Sequence, residues 1–234
     1  MSYQEDLLML GQRDASLLSD SEIKTKIEQT ITKTFARMAW LLLLAFGTAR
    51  GISTGMIQIP FTSTGYLISA IGWFALIILI SRRRQRMNYQ TVAGLLLLFA
   101  VLEGYGLTGV FQMYALGSIY QVFLTTSILF GALAIAGNYL KIDVTRVGSI
   151  LMISLIALLI GSVINMFRWN ATFDIWISVF GVIIFSGFII YDMQILKQQA
   201  LVADDRVPLL ISLWLFLNFI NIFLFLLRIM GRRD

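Results

Sequence analysis

This sequence predicts an all-α polytopic membrane protein, a bundle of seven transmembrane helices, and three observations predict it. Of the 234 residues, 58% are hydrophobic and 13% charged, and the mean hydropathy is +0.82; a soluble domain has about a quarter of its residues charged. After Thr34 the chain divides into seven apolar runs, each near the ~17–25 residues that a helix needs to cross a bilayer. Basic residues concentrate in alternate short segments between those runs, the pattern of a chain threaded with a fixed orientation.

The elements follow in order. Residues 1–33 read as a polar cytoplasmic tail, mixing Glu5, Asp6, Asp14, Asp20, Glu22 and Glu28 with Arg13, Lys24, Lys26 and Lys33. No basic stretch precedes an apolar core there, so a cleavable signal peptide is not expected. Ser19-Asp20-Ser21-Glu22 ahead of Ile23, Ile27 and Ile31 has the spacing of a capping box opening a short amphipathic helix. Residues 34–234 form the transmembrane domain, with spans expected over 35–57, 65–81, 90–110, 120–140, 147–167, 174–196 and 208–230. The breaks are polar or glycine-containing: Pro60 to Gly65, Ser81 to Tyr89, Gln112 to Ser118, Lys141 to Arg146, Arg168 to Asp174, and Lys197 to Val207.

Loop charge sets the orientation. Arg82, Arg83, Arg84 and Arg86 follow the second span, Lys141 and Arg146 the fourth, and Lys197 and Arg206 the sixth, whereas the opposite segments hold little beyond Arg50 and Arg168. Lys and Arg are retained on the cytoplasmic side, so the amino terminus is expected there. Seven crossings then place Arg228, Arg232 and Arg233 outside, against the rule, and a re-entrant last segment is the alternative. A bacterial inner membrane is the expected location, or an endomembrane in a eukaryote.

Composition also excludes chemistry. With no His and no Cys, the chain lacks the commonest ligands for zinc, copper, haem and iron–sulfur clusters, and it has neither imidazole nor thiolate for catalysis. No cofactor is expected, and no catalytic residue. The net charge of +5 belongs to the flanks of the spans and not to a nucleic-acid-binding face.

Ionisable groups inside the apolar runs are few, and each needs an internal partner or a watery path. Arg50 and Arg228 lie near span ends, where long side chains snorkel to the interface. Asp192 shares one face of the sixth span with Ser178, Gly181 and Phe185 at about 100° per residue, and a face bearing small residues packs against a neighbouring helix. The second and sixth spans end on the same side, which makes Arg82 an available partner for Asp192. Asn218 and Asn221, three residues apart on the seventh span, offer amides from the same leaflet, and Glu103 lies in the third span. Asn170-Ala171-Thr172 matches a glycosylation acceptor, which has no meaning in a bacterium.

These residues carry a resemblance. Tyr191-Asp192-Met193-Gln194 resembles the Tyr-Asp-x-Gln signature of the Bax inhibitor family, the transmembrane Bax-inhibitor-motif proteins that include the YccA-like bacterial members. Leu217-Asn218-Phe219-Ile220-Asn221-Ile222-Phe223, with Leu226-Leu227-Arg228, is similar to its last-helix signature Leu-Asp-Phe-Ile-Asn-Leu-Phe followed by Leu-Leu-Arg. Leu102-Glu103-Gly104 and the basic cluster from Arg82 to Arg84 are weaker echoes. The resemblance implies a seven-helix bundle with the last helix central, calcium leak, cytoprotection and, in bacterial relatives, control of a membrane-bound protease. It also implies a pH-responsive aspartate pair between the sixth and seventh helices beside an arginine from the second. Asp192 and Arg82 carry over. The second aspartate is Asn218 here. Two carboxylates in contact hold a proton between them, whereas an Asp–Asn pair has no such repulsion, so weaker pH sensing is expected.

Three functions compete on these grounds. A calcium-permeable leak gated by Asp192, Asn218 and Arg82, with Asn221 and Glu103 on the ion path, is the first. The second is a non-conducting regulator that binds a membrane protease or a cell-death or stress partner. An enzyme is the third: Tyr191-Asp192 is similar to half of an intramembrane aspartyl protease site, but no Gly-x-Gly-Asp supplies the other half, and the last span has no lysine to hold retinal.

Overall fold

The computed structural model describes residues 19–83, 87–140, 142–168, 170–201 and 206–232. Seven helices occupy them: α1 (Asp20–Ser53), α2 (Ser63–Arg83), α3 (Tyr89–Met113), α4 (Leu116–Tyr139), α5 (Val144–Arg168), α6 (Ala171–Gln199) and α7 (Arg206–Met230). All seven are long and apolar enough to cross a membrane. With large side chains such as Ile153 and Trp40 turned outward and 68% and 70% exposed, the chain is a multi-pass integral membrane protein whose helices contact lipid.

The polar lead-in is not a separate short helix. It continues through Lys33 into the first span as one helix of 34 residues, because nothing from Asp20 to Phe46 is Gly or Pro and a change of side-chain polarity does not interrupt backbone hydrogen bonding. Its start is the reciprocal capping box: the Ser19 N–H and Oγ both donate to Glu22 Oε2, at 2.8 and 2.7 Å, and the Glu22 N–H reaches back to Ser19 Oγ at 3.4 Å. Those bonds favour the ionised carboxylate and hold Glu22 below its ordinary pKa. A depressed pKa contributes order above the unfolded value and loses it as pH falls through the folded one. Protection of the first-turn amides of α1, taken relative to the intrinsic exchange rate at each pH, is therefore expected to fall as pH drops below the ordinary glutamate range, and Glu22→Gln should show that lower protection already at neutral pH.

Side-chain caps open several other helices. Asn88 Oδ1 accepts from the Thr91 N–H at 2.8 Å to begin α3, Asp143 Oδ1 accepts from Thr145 and Arg146 to begin α5, and Asn170 Oδ1 accepts from the Phe173 N–H at 3.0 Å to begin α6. The asparagine of the apparent glycosylation motif is thus a helix cap. After α1 the chain turns at Gly55, whose φ of 75° suits a residue without Cβ. Tyr105 of α3 holds the following loop, its hydroxyl donating to the Pro60 carbonyl at 3.0 Å and accepting from the Thr62 N–H at 3.1 Å.

The chain divides into two compact units. One contains residues 32–116 and 204–216, hence most of α1, then α2, α3 and the first part of α7. Within it α2 and α3 pack as a hairpin, α1 approaches α3 closely at Gly104, and Trp73, Phe99 and Phe216 form an aromatic chain with centroids 5.6 and 6.1 Å apart. The other contains residues 117–203 and 217–232, with α4, α5, α6 and the rest of α7. There α5 and α6 form a hairpin, and Phe219 and Phe223 of α7 pack on Phe123 of α4. Helix α7 is an unbroken helix of 25 residues. Its apolar window is 67% buried, against 11–39% for the other six, and six successive residues from Leu215 to Ile220 are buried.

Candidate functional site

The face of α6 read from the sequence is the buried one: Ser178, Gly181, Phe185 and Asp192 are all inside. Glycines let the neighbours of α6 come close. A Cβ on Gly137 of α4 would lie 2.9 Å from the Met193 Cβ and 3.0 Å from the Ile190 Cα, and one on Gly148 of α5 would lie 2.9 Å from the Tyr191 ring. Gly181 lies beneath the Phe225 ring of α7. The tyrosine and aspartate of the Tyr-Asp-x-Gln turn therefore face α5 and α7, and the Met193 between them and Gln194 faces α4.

Asp192 and Asn218 meet across that packing. The Asn218 Nδ2 donates to Asp192 Oδ2 at 2.6 Å, with both residues buried, 8% and 6% exposed. The bond gives a buried carboxyl oxygen and a buried amide donor each a partner, and either group would be costly to leave unpaired. Asn221 is directed elsewhere, its Nδ2 donating to the Leu217 carbonyl of its own helix at 2.8 Å. Arg82 and Glu103 belong to the other unit. Arg82 is exposed in the last turn of α2, and Glu103 is half-buried with its carboxyl near the Trp73 indole.

Two anchors in this unit were not anticipated. The last carbonyls of any helix lack intrahelical donors, and at the end of α4 they are met from α6: Gln194 Nε2 donates to the Gly137 and Leu140 carbonyls, and Lys197 Nζ to the Asn138 carbonyl at 2.6 Å. The glutamine of the signature is thus a helix-end clamp, joined by a cation where the helix dipole favours one. The available signal was the spacing of Gln194 and Lys197, three residues apart on one face. At the other end of α6, Arg228 does not snorkel alone: its Nη1 pairs with Asp174 Oδ1 at 3.2 Å, the oxygen that also accepts from Asn165 Nδ2 at 3.2 Å. Asp174 and Arg228 are separated by 54 residues, and only the alternation of seven crossings brings the start of α6 and the end of α7 to one side. Helix α6 is thereby tied to α7 at both ends, at points 18 residues or roughly 27 Å apart along it.

Comparison with known proteins agrees with this placement. Residues 27–234 match the family model described as Inhibitor of apoptosis-promoting Bax1. The chain is 33% identical to an uncharacterized protein of Borreliella burgdorferi over 212 residues, 87% of this chain and 91% of that one. It is also 33% identical to the inner membrane protein YbhL of Escherichia coli over 202 residues, 82% of this chain and 86% of the relative. An uncharacterized membrane protein of Streptococcus pyogenes is 31% identical over 163 residues, 68% of this chain and 71% of the relative. With a bilayer-spanning fold, the signature residues of α6 and α7 in contact, and a match over all but its first residues, the chain belongs to the Bax inhibitor family of integral membrane proteins.

Proposed function

We propose that this protein is a calcium-permeable leak pathway, closed on the cytoplasmic side by the contact between α6 and α7 at Asp192 and Asn218. One observation carries this reading: a carboxylate is kept inside an apolar helix bundle with an amide of the most buried helix as its hydrogen-bond donor. Ionisable groups at that depth are costly and serve pathways or switches. Asp192, Asn218 and Asn221 supply oxygens that suit calcium, and the sequence alone adds Glu103 of the other unit to the ion path. Among the described residues no three His, Cys, Asp or Glu gather, and a leak conducts only where binding is weak enough to release the ion. The part of Arg82 in the closure rests on the sequence alone, as does the cytoplasmic placement of the amino terminus. On this reading there is no catalytic residue and no resident cofactor, and calcium is the cargo.

The description of the matched family as an inhibitor of a death-promoting protein favours a second reading, in which the spans bind and restrain a membrane protease or another membrane protein. Purified protein in calcium-free liposomes loaded with a calcium indicator separates the two. The leak predicts calcium entry well above that of protein-free liposomes. Entry no faster than in those controls, with folded protein present, removes the leak and leaves the regulator.

A further inference from the structure

We propose that Arg37, at the start of the first span beside the beginning of α3, binds the phosphate of an anionic phospholipid headgroup. Arg37 is a half-buried cation of α1. Its guanidinium lies 5.6 Å over the Tyr89 ring, and Nη2 donates to the Tyr89 hydroxyl at 3.2 Å. Among the described residues Nη1, which is buried, has no hydrogen-bond partner, and no carboxylate pairs with Arg37. A buried guanidinium N–H left without an acceptor is costly, so the group favours an anionic acceptor within reach.

The surroundings add positive potential and an interfacial setting. Tyr89 is the first residue of α3, a helix of 25 residues whose amino-terminal end carries partial positive charge. Lys33, one turn before Arg37, is exposed, and Trp40, one turn after, is 70% exposed, as expected of an aromatic at the membrane interface. Arg37 is the last charged residue before the uncharged run from Met38 to Ala49, which places it at headgroup depth. It stands at the end of α3 that follows the Arg82 to Arg86 segment, where the basic loops place the anionic cytoplasmic leaflet. A phosphate approaching the exposed edge gives the guanidinium two acceptors in the fork geometry that it prefers, and rotation of the side chain toward it brings Nη1 out of its partnerless position.

The test is lipid retention by the full chain. Purified protein in nanodiscs of mixed phosphatidylglycerol and phosphatidylcholine, released and weighed by native mass spectrometry, is expected to keep phosphatidylglycerol about fivefold over its share of the mixture. Arg37→Gln should abolish that preference and Arg37→Lys should weaken it, while Arg83→Gln, which removes an exposed charge from the end of α2, should leave it intact. Equal loss in Arg37→Gln and Arg83→Gln shows a diffuse charge effect and overturns the site, as does an unchanged preference in Arg37→Gln. Inorganic phosphate that raises the unfolding temperature in pure phosphatidylcholine as much as phosphatidylglycerol does assigns the site to a free anion and overturns the lipid. A photoactivatable phosphatidylglycerol on the unaltered protein gives a reading that no variant's folding affects: label on the peptides around Arg37 and Tyr89 supports the site, and label confined elsewhere overturns it.

Discussion

Gly104→Val is expected to lower the unfolding free energy by about 3 kcal/mol, the upper part of the range for forcing added volume into a close-packed interior. A Cβ at this position falls 2.5 Å from the Ala45 carbonyl oxygen and 2.7 Å from the Thr48 Cβ. The nearer atom is backbone, so no rotamer change relieves the contact and α1 must move away from α3. Gly104→Ala meets the same obstacle with the single carbon, and its expected loss of 1–2 kcal/mol opposes the up to about 1 kcal/mol that Ala adds over Gly in a helix. Gly94 of the same helix provides the contrast, because it is exposed and a Cβ there meets nothing within 4 Å. Gly94→Ala should therefore be neutral or stabilising. Reversible unfolding in bicelles reads all three, and equal responses at Gly94 and Gly104 would show that the close approach of α1 and α3 does not exist.

Hydropathy made the seven spans legible because each is a continuous apolar run of bilayer length between polar breaks, which is a one-dimensional property. The capping box at Ser19 and Glu22 was legible for the same reason, its partners being three residues apart. Periodicity also exposed the buried face of α6, since Ser178, Gly181, Phe185 and Asp192 share a direction whatever the neighbours are. Continuity through Lys33 was obscured by composition: charge marks where solvent ends, and a helix without Gly or Pro passes through that boundary. The partners of Arg228 and Gln194 were illegible on different grounds. Arg228 finds Asp174 across 54 residues, and Gln194 finds carbonyls, which every residue possesses and no sequence pattern distinguishes. Gly104 had a visible place in Leu102-Glu103-Gly104, but only the approach of α1 shows why a side chain is excluded there.

The pair at the base of the proposed pathway makes a prediction about pH that separates this protein from a relative with two aspartates. Asp192 faces an amide, so the contact holds no proton shared between two carboxylates, and calcium entry into proteoliposomes should depend less steeply on pH between 6 and 8 than it does in a two-carboxylate variant. Asn218→Asp places a second carboxylate against the first. Two carboxylates in contact titrate as a coupled pair, and an interaction of one pK unit corresponds to a factor of about ten, so the variant's flux should vary on the order of tenfold over the same range. Asp192→Ala acts without regard to pH: it leaves the Asn218 amide buried without its acceptor, a cost of about 1–3 kcal/mol to the closed arrangement. Since ~1.4 kcal/mol shifts a two-state population tenfold, basal entry should rise by about that factor. Asp192→Asn keeps an acceptor for Asn218 in place of the carboxyl, so its entry should lie between those of the unaltered protein and Asp192→Ala. A steep pH response of the unaltered protein that Asn218→Asp leaves unchanged would place the proton sensor outside this pair. Unaltered basal flux in folded Asp192→Ala would mean that the contact between α6 and α7 stabilises the bundle without closing it.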